Sequence, residues 1–383
     1  MNTRNKSSSL CIMQVLPALI SGGVERGTID IATALIKNGH RAIVVSSGGG
    51  LVKQLEKIGA IHIKLAVQSK NPFVLRKNAH TLKELILEHK VDIVHARSRA
   101  PAWSCYWATN RTKTLFITTF HGAYSHQSTL KRLYNSVMLK SHTTIAVSNF
   151  IAHHISKIYP SNKANISVIH RGIDTLLFSP SKNLNIRAEA LRKQWHIPNN
   201  KTILMLPGRL TRLKGHATFI KAIAQLDTSN IICLFVGDHH GNISYQQELE
   251  ILIHEHNLEE TIYLVGGCHD MPAAYQLANI VVSASVKPES FGRITGEAQA
   301  MHCLVVATNH GGTKEVLSPS QKDFLCEPNN SEAMTKALVN ALAIDEQEQS
   351  IIFKQSRKYI EANFTLDKMC QHTLAVYQNA HIH

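Results

Sequence analysis

Two cations and two carboxylates stand where the strands of an α/β protein are expected to end. Arg209 and Lys214 follow a short apolar run, within residues 208–215 (GRLTRLKG). A guanidinium and an ammonium that converge at such a place suit a diphosphate. Glu289 and Glu297 are eight positions apart, and we expect Glu289 in a loop and Glu297 on the helix that follows. Carboxylates at such a site accept hydrogen bonds from vicinal hydroxyls, such as those of ribose.

The first half of the chain contributes two further candidates. Gly22 and Gly23 stand between an apolar run and a helical stretch, where glycine lets a phosphate or a sugar approach the backbone closely. Their spacing is not G-x-G-x-x-G, so a dinucleotide site is poorly supported. His121 ends another apolar run, and an imidazole there donates to a sugar hydroxyl or assists proton transfer. The plainer alternatives are a tight turn at the glycines, a solvated basic loop at 208–215 and a structural hydrogen bond at His121.

These residues need a scaffold that brings strand ends together, and the sequence predicts one. Short apolar runs alternate with amphipathic stretches, which is the pattern of βαβ units and parallel sheets. Strands are predicted at 11–16, 41–46, 61–65, 93–96, 115–119, 144–147 and 167–170 in a first series, and at 201–206, 231–236, 261–265, 280–283 and 304–307 in a second. The helices predicted between them include 24–38, 80–89, 150–159, 216–226 and 245–256.

The two series predict two domains. A polar run with Pro180, over 173–183, suits a linker between them. We therefore expect an α/β protein with two Rossmann-like, doubly wound domains that face each other across a cleft. The N-terminal domain is predicted over 1–183 and the C-terminal domain over 184–362. A helical tail over 363–383 follows and can cross back to the first domain.

Charge is divided unevenly along the chain. Residues 1–185 carry 24 Lys+Arg and 7 Asp+Glu, a net charge of +17, whereas the remainder carries 17 and 20, a net charge of −3. Such asymmetry suggests an anionic partner for the first half: nucleic acid, an anionic membrane surface or a phosphorylated substrate. The alternative is charge that serves only solubility.

Composition excludes several classes of protein. With 383 residues, 44% of them hydrophobic and 18% charged, the chain does not have the composition of a disordered, collagen-like or coiled-coil protein. No apolar run reaches the roughly 18 residues of a membrane-spanning helix. The seven cysteines are scattered, with no C-x-x-C, so we expect reduced thiols and an unexported, cytoplasmic protein. The chain contains no H-E-x-x-H and no Asp-x-Asp, and we expect neither a metal nor another cofactor.

Taken in order, the motifs resemble a known family. They are Gly22-Gly23-x-Glu25-Arg26, Arg171-Gly172-Ile173-Asp174, Gly208-Arg209 with Lys214-Gly215, Glu289-x7-Glu297 and Gly311-Gly312-x-x-Glu315. Their order and spacing are similar to those of the retaining GT-B glycosyltransferases of family 4, also called glycosyltransferase group 1. The resemblance runs from about residue 10 to residue 320.

The resemblance implies roles for particular residues. In that family the second domain binds a nucleotide-sugar donor and the first binds the acceptor. Arg209 and Lys214 match the pair that holds the donor diphosphate, Glu289 the acid that contacts the transferred sugar, and Glu297 the acid that holds the ribose. His121 matches a histidine near the transferred sugar. Gly22 and Gly23 match the family's loop near the diphosphate and the acceptor. We also expect Ser290, Phe291, Gly292 and Arg293 to bind the donor, because backbone N–H groups at a helix N-terminus meet phosphate. Arg293 departs from the common pattern of the family and places a cation near the donor phosphate or an acidic acceptor.

The expected function is therefore the retaining, metal-independent transfer of a hexose-type sugar from a nucleotide-diphosphate sugar to an envelope glycan or glycolipid, as in lipopolysaccharide biosynthesis. The basic first domain would meet an acceptor on an anionic membrane surface, at the inner face of the membrane. The amphipathic stretch 130–140 suits that surface, and a packed helix with a solvated face is the alternative. Two other functions remain open: a nucleotide-sugar epimerase of the same fold type, and a binder of nucleic acid or another anionic polymer. No nucleic-acid partner is expected, because the basic half lacks aromatic residues interleaved with Lys and Arg in a recognisable module.

Overall fold

The structure is a computed structural model that describes residues 9–20, 22–161, 164–239 and 241–382. The chain divides into two compact units, one formed by Met1–Gly172 with Leu366–His383 and the other by Ile173–Thr365. Each unit is a parallel sheet with helices on its faces, so the predicted α/β class with two doubly wound domains is confirmed.

The first unit follows the first predicted series closely. Its strands are β1 (Cys11–Val15), β2 (Arg41–Ser46), β3 (Ile61–Lys64), β4 (Ile93–Ala96), β5 (Leu115–Phe120), β6 (Thr143–Ala146) and β7 (Asn165–Val168). Its first helices are α1 (Gly23–Lys37), α2 (Val52–Lys57), α3 (Pro72–Glu88), α4 (Arg99–Thr112), α5 (Thr129–Ser136) and α6 (Asn149–Ile158), with a 3₁₀ turn at Val137–Leu139.

The strands of this sheet lie in the order β3-β2-β1-β4-β5-β6-β7, and all neighbouring pairs are parallel. The chain winds outward in both directions from β1 and β4, so a crevice opens beyond the carboxyl ends of these two strands. Strand β4 is fully buried because helices cover both faces of a doubly wound sheet.

The second unit begins with α7 (Lys182–Gln194) and repeats the alternation. Its strands are β8 (Thr202–Pro207), β9 (Ile231–Val236), β10 (Ile262–Gly266), β11 (Ile280–Ser283), β12 (Leu304–Thr308) and β13 (Leu325–Cys326), in the parallel order β10-β9-β8-β11-β12-β13. Its further helices are α8 (His216–Ile223), α9 (Ile243–Glu255), α10 (Met271–Leu277), α11 (Arg293–Ala300), α12 (Thr313–Val316), α13 (Ser331–Leu342) and α14 (Glu346–Asn363), with 3₁₀ turns at Arg212–Lys214 and Pro319–Phe324. The chain ends in α15 (Leu366–Ile382).

The predicted domain boundaries differ from those of the structure. The first unit ends at Gly172 rather than at residue 183, because the polar run that follows is part of the second unit. Ile173 and Phe178 are buried in its core, and Arg357 of α14 donates hydrogen bonds to the carbonyl oxygens of Thr175 and Phe178. The second unit extends to Thr365 rather than 362.

Helix α15 is part of the first unit. Met369, Cys370, Leu374 and Tyr377 of this helix are buried in the same hydrophobic cluster as residues of α1 and β1. The burial of one face of α15 accounts for its place with the N-terminal sheet although it is the last element in sequence.

Most other differences between the predicted and the observed elements concern the bounds of helices. Helix α3 begins at Pro72, eight residues before the predicted start, where the Asn71 side chain caps the backbone N–H of Phe73. A helix was expected between β4 and β5 but without bounds, since the buried residues of α4 are mostly small and give no clear 3.6-residue hydrophobic pattern. Strand β7 lies two residues earlier than the predicted 167–170.

Candidate functional site

The second unit joins a cation and a carboxylate at the carboxyl ends of two strands. Lys214 lies in the loop after β8, and Glu289 lies in the loop after the neighbouring strand β11. Lys214 Nζ is 2.6 Å from Glu289 Oε1, and the Ser285 hydroxyl donates to the same oxygen at 2.6 Å. Burial acts to raise the pKa of Glu289, but Lys214 and Ser285 outweigh it, so the pKa is lowered and the carboxyl is ionised at neutral pH.

Glycines with restricted surroundings shape both loops. Gly215 ends the Lys214 loop with φ of +75°, and a Cβ at this position would lie 1.9 Å from the carbonyl oxygen of Ala284. Gly311 has φ of +64°, and its Cβ would lie 2.5 Å from the carbonyl oxygen of Glu289. No L-residue with a side chain fits either position without moving the backbone. The two glycines therefore allow the loops that carry Lys214 and Glu289 to approach neighbouring backbone closely.

Glu297 is held by two partners within the second unit. It lies on α11 and is 7% exposed. Arg293, one turn earlier on the same helix, places Nη2 2.6 Å from Glu297 Oε1, and the buried Tyr275 hydroxyl donates to Oε2 at 3.1 Å. Burial and the neighbouring Glu297 carboxylate raise the pKa of Tyr275 well above its usual value, so Tyr275 remains a neutral donor.

The other predicted residues of this unit lie on the same two loops. Arg209 follows β8, and its side chain is exposed. Ser290 is half-buried, while the Phe291 side chain points into the core and packs edge-on against Phe364. The Phe291 side chain is therefore not available to a ligand. Gly292 has φ of +95° and precedes the first residue of α11, where helix N–H groups lack intrahelical partners.

The candidates of the first unit come together at the carboxyl edge of its sheet. Gly22 has φ of +133°, and Gly23 begins α1. Arg171, which follows β7, donates through Nη2 to the carbonyl oxygen of Gly23. Its Nη1 is 3.1 Å from His121 Nδ1, beyond the end of β5. Arg171 thus links the two separate sequence candidates, the glycine turn and His121.

Several residues that were not predicted from the sequence complete these clusters. Arg97 follows β4 directly, and its Nη1 donates to Gln14 Oε1 at 3.1 Å. His95 is buried, with Nδ1 2.6 Å from the Tyr377 hydroxyl and Nε2 2.7 Å from the Thr119 hydroxyl. The position of Arg97 at a strand end was the available signal. Tyr275 and Tyr377 gave none, because only tertiary packing brings them to their partners.

The described residues contain neither a cluster of metal-ligating side chains nor a helix that could span a bilayer. Within 9–20, 22–161, 164–239 and 241–382, no group of three or more His, Cys, Asp or Glu side chains is placed to hold a metal ion. None of the helices described by the structure has both the length and the apolar character needed to cross a bilayer.

The fold and these clusters define a class of protein: two doubly wound α/β units with cations and carboxylates at the strand ends, where phosphorylated ligands bind. A family model described as "Glycosyl transferases group 1" matches residues 187–359, and one described as "Glycosyltransferase Family 4" matches residues 21–176. A crystal structure of a glycosyltransferase from Rickettsia africae ESF-5 is similar to this chain over 98% of its length and 99% of that chain, with 39% sequence identity and a TM-score of 0.90.

Two more distant proteins are similar to this chain over most of its length. The Anabaena protein Alr3699/HepE, in a crystal structure with UDP and glucose, has a TM-score of 0.81 at 22% identity, over 96% of this chain and 99% of that chain. The spore coat protein SA of Bacillus subtilis (strain 168) is 21% identical over 369 residues, which are 94% of this chain and 95% of that protein. The chain belongs to the group 1, family 4 glycosyltransferases. It is a glycosyltransferase with the GT-B fold.

Proposed function

We propose that the protein transfers a hexose-type sugar from a nucleotide-diphosphate sugar, and that the second unit binds this donor. Arg209 and Lys214 hold the diphosphate, Glu297 accepts hydrogen bonds from the ribose hydroxyls, and Glu289 contacts the transferred sugar. The observation that carries the proposal is the 2.6 Å contact between Lys214 Nζ and Glu289 Oε1, which joins residues from two loops at neighbouring strand ends. Lys214, the proposed phosphate ligand, therefore lies beside Glu289, the proposed acceptor of hydrogen bonds from sugar hydroxyls.

The proposed chemistry follows from the charges. As the glycosidic bond breaks, negative charge accumulates on the diphosphate, and fixed cations there stabilise the transition state. Arg209 and Lys214 supply those cations, helped by the N–H groups of Ser290, Phe291, Gly292 and Arg293 at the start of α11. With this set we expect transfer without a metal ion. We further propose retention of anomeric configuration by a front-face mechanism, in which the leaving phosphate helps to deprotonate the acceptor.

His121 fits the role of a neutral hydrogen-bond donor to the transferred sugar. Burial lowers its pKa well below the usual value, and the nearby cations Arg97 and Arg171 lower it further. Because a guanidinium only donates, His121 Nδ1 must accept from Arg171 Nη1, and the ring proton lies on Nε2. In the proposed complex this Nε2–H faces sugar, and the backbone of Gly22 and Gly23 is close to the diphosphate.

The choice of donor to test first comes from a relative. The Anabaena protein was crystallised with UDP and, separately, with UDP-glucose. UDP-hexoses are therefore the first donors to assay. The acceptor we propose is an envelope glycan or glycolipid of the lipopolysaccharide type, because residues 1–185 carry a net charge of +17.

We also propose that the protein works in the cytoplasm, at the inner face of the membrane. Helix α5 exposes Leu130 and Leu133, at 79% and 61%, and Lys131 and Arg132 lie beside them. Apolar side chains flanked by cations suit an anionic bilayer surface. Flotation with vesicles tests this: more protein should float with anionic than with neutral lipid, and Leu130→Ser/Leu133→Ser should abolish the difference. Equal recovery of the wild type with both lipids would contradict the membrane proposal.

Incubation of the purified protein with a panel of nucleotide-diphosphate hexoses and extracted envelope glycolipids tests the transfer itself. We expect sugar to appear on an acceptor, with the donor's anomeric configuration by NMR and with undiminished rate in EDTA. Turnover of the donor to an epimer without any acceptor would instead indicate the epimerase. Inversion of configuration would contradict the retaining mechanism, and loss of activity in EDTA would contradict metal independence.

A further inference from the structure

Arg97 is a buried cation of the first unit, at the end of β4. It is 4% exposed, and its Nη1 donates to Gln14 Oε1, an amide oxygen oriented by the hydrogen bond from Gln14 Nε2 to the Thr28 carbonyl. Within the described part of the chain, no ion pair includes Arg97, and its buried Nε has no hydrogen-bond partner. Burial lowers the pKa of Arg97 and outweighs the Asp30 and Glu25 carboxylates, which act to raise it. Burial of such a charge is costly, so a further partner from outside the chain is expected.

A second guanidinium approaches the same point. A Cβ placed on Gly27 of α1 would lie 2.9 Å from Arg171 Nη2 and 3.2 Å from Arg97 Nη2. The absence of a side chain at Gly27 therefore gives both guanidinium groups room against the first turns of α1. Like charges brought this close repel each other unless negative charge lies between or beside them. The N-terminal end of α1 adds a positive potential of its own.

His121 lies beside Arg171 at this edge of the sheet. With the proton on Nε2, this buried N–H has no hydrogen-bond partner among the described residues. His95 is different, because the Tyr377 and Thr119 hydroxyls occupy both of its ring nitrogens. The unsatisfied groups at this edge of the sheet are thus all N–H donors, on Arg97 and His121.

A small cavity lies among these groups. Its volume is about 20 Å³, and Arg97, Thr119, His121 and Arg171 are among the residues that line it. This is room for one water or for one oxygen atom of a larger group. A ligand that sends a single negatively charged oxygen inward, with its remaining atoms outside, matches both the volume and the donors.

We propose that Arg97 and Arg171 form an oxyanion-binding site in the first unit, and that its ligand is a phosphate group. One phosphate oxygen enters the cavity and accepts from Arg97 Nε, while the two guanidinium groups neutralise the charge and His121 Nε2–H stays with the transferred sugar. Phosphate is favoured over a neutral sugar because two cations converge on the site. Within the proposed function, the phosphate comes either from the acceptor or from the donor diphosphate.

Thermal unfolding with inorganic phosphate as the probe tests the site without any turnover. We expect millimolar phosphate to raise the melting temperature of the wild type by roughly 3 °C. Arg97→Met should lose the part of this rise that comes from Arg97, while its melting temperature without phosphate stays equal or increases, because an unpaired buried charge has been removed. Arg97→Lys, which keeps the charge but not the guanidinium geometry, should retain only part of the phosphate-induced rise.

Two control variants separate the site from other effects of charge. Arg41→Met removes one cation at the exposed edge of the same unit and should leave the phosphate-induced rise intact. Arg209→Ala removes a cation of the proposed donor site, so this variant loses only the part of the phosphate-induced rise that comes from that site and keeps the part that comes from Arg97. The proposal is overturned if phosphate stabilises Arg97→Met as much as the wild type, or if Arg209→Ala alone abolishes the rise. It is also overturned if Arg97→Met melts several degrees lower without phosphate, since Arg97 would then serve structure.

UDP titrations identify the source of the phosphate. If it belongs to the donor, Arg97→Met should bind UDP at least tenfold more weakly, and phosphate should compete with UDP in the wild type. If it belongs to the acceptor, UDP affinity should be unchanged, and the KM for a phosphorylated acceptor should increase at least tenfold. Either result, together with the loss of the phosphate-induced rise, supports the site. Because the phosphate assay uses no sugar donor, its failure would leave the proposed transfer reaction standing.

Discussion

The contact between Lys214 and Glu289 gives the sharpest prediction about stability. Replacing Lys214 with Met leaves a carboxylate that is 26% exposed and that still accepts from the Ser285 hydroxyl. Exposed ion pairs contribute about 0–1 kcal/mol, and breaking a fully buried pair costs about 3–5 kcal/mol. Lys214 is 22% exposed, so this pair lies between the two cases, and we expect a loss of about 2 kcal/mol. For a unit of this size, that loss lowers the melting temperature by about 4–8 °C.

The loss should depend on pH in a defined direction. The pKa of Glu289 is lowered in the folded protein, so the carboxylate contributes stability that is present above its unfolded pKa of about 4.3 and is lost as pH falls through the folded value. In Lys214→Met the Lys214 cation no longer outweighs the burial that raises the pKa of Glu289. The difference between wild type and variant should therefore be full at pH 7.5 and shrink as the pH falls below about 5.

Calorimetry of a double-mutant cycle measures this interaction. The variant Lys214→Met/Glu289→Gln should recover much of the stability lost in Lys214→Met, because the unpaired buried charge is gone. Arg212→Met is the matched control, since the Arg212–Glu248 pair is 67% and 45% exposed and should contribute little to stability. Equal losses for the two Lys/Arg variants, or a loss in Lys214→Met that does not change between pH 7.5 and pH 4.5, would refute the reasoning.

Three further predictions concern the reaction. Tyr275→Phe removes a hydroxyl that orients Glu297. In steady-state kinetics we expect the KM for the donor to rise about fivefold, with kcat nearly unchanged. A lower kcat with an unchanged KM would contradict this role. Arg209→Ala should lower kcat by about 10²–10³-fold in the same assay, because a cation that stabilises the departing diphosphate is lost, and a drop smaller than tenfold would argue against it. Burial and nearby cations hold the pKa of His121 well below 6.5, so His121 should not titrate between pH 6.5 and 8. The pH profiles of kcat/KM for the wild type and His121→Gln should therefore have the same shape in this range. An inflection present in the wild type and absent from His121→Gln would contradict the neutral role.

The scaffold was largely predictable from the sequence. Buried parallel strands are short apolar runs, so β2, β4, β9 and β11 have the predicted bounds. The loops after such strands carry the ligand site in open α/β sheets. For this reason Lys214 and Glu289 could be placed before their contact was known.

Other parts of the site depend on tertiary packing that a single sequence does not contain. The buried neighbourhood of Arg97 exists because β4 lies between β1 and β5 rather than beside β3, the strand before it in sequence, and the pairing with β1 brings Arg97 beside Gln14. Tyr275 reaches Glu297 from a separate helix 22 positions earlier. The boundary at residue 183 was wrong because the polar run around Pro180 resembles a linker, whereas Arg357, far along the chain, binds its carbonyl groups.

We propose above all that the second unit binds the diphosphate and ribose of a nucleotide-sugar donor. Isothermal titration of UDP, GDP and ADP into the wild type, Arg209→Ala and Glu297→Gln tests it most directly. We expect one of the three nucleotides to bind the wild type, and both variants to bind it at least tenfold more weakly, about 1.4 kcal/mol. If none of the nucleotides binds the wild type, or if both variants bind as the wild type does, the donor site does not lie at these residues.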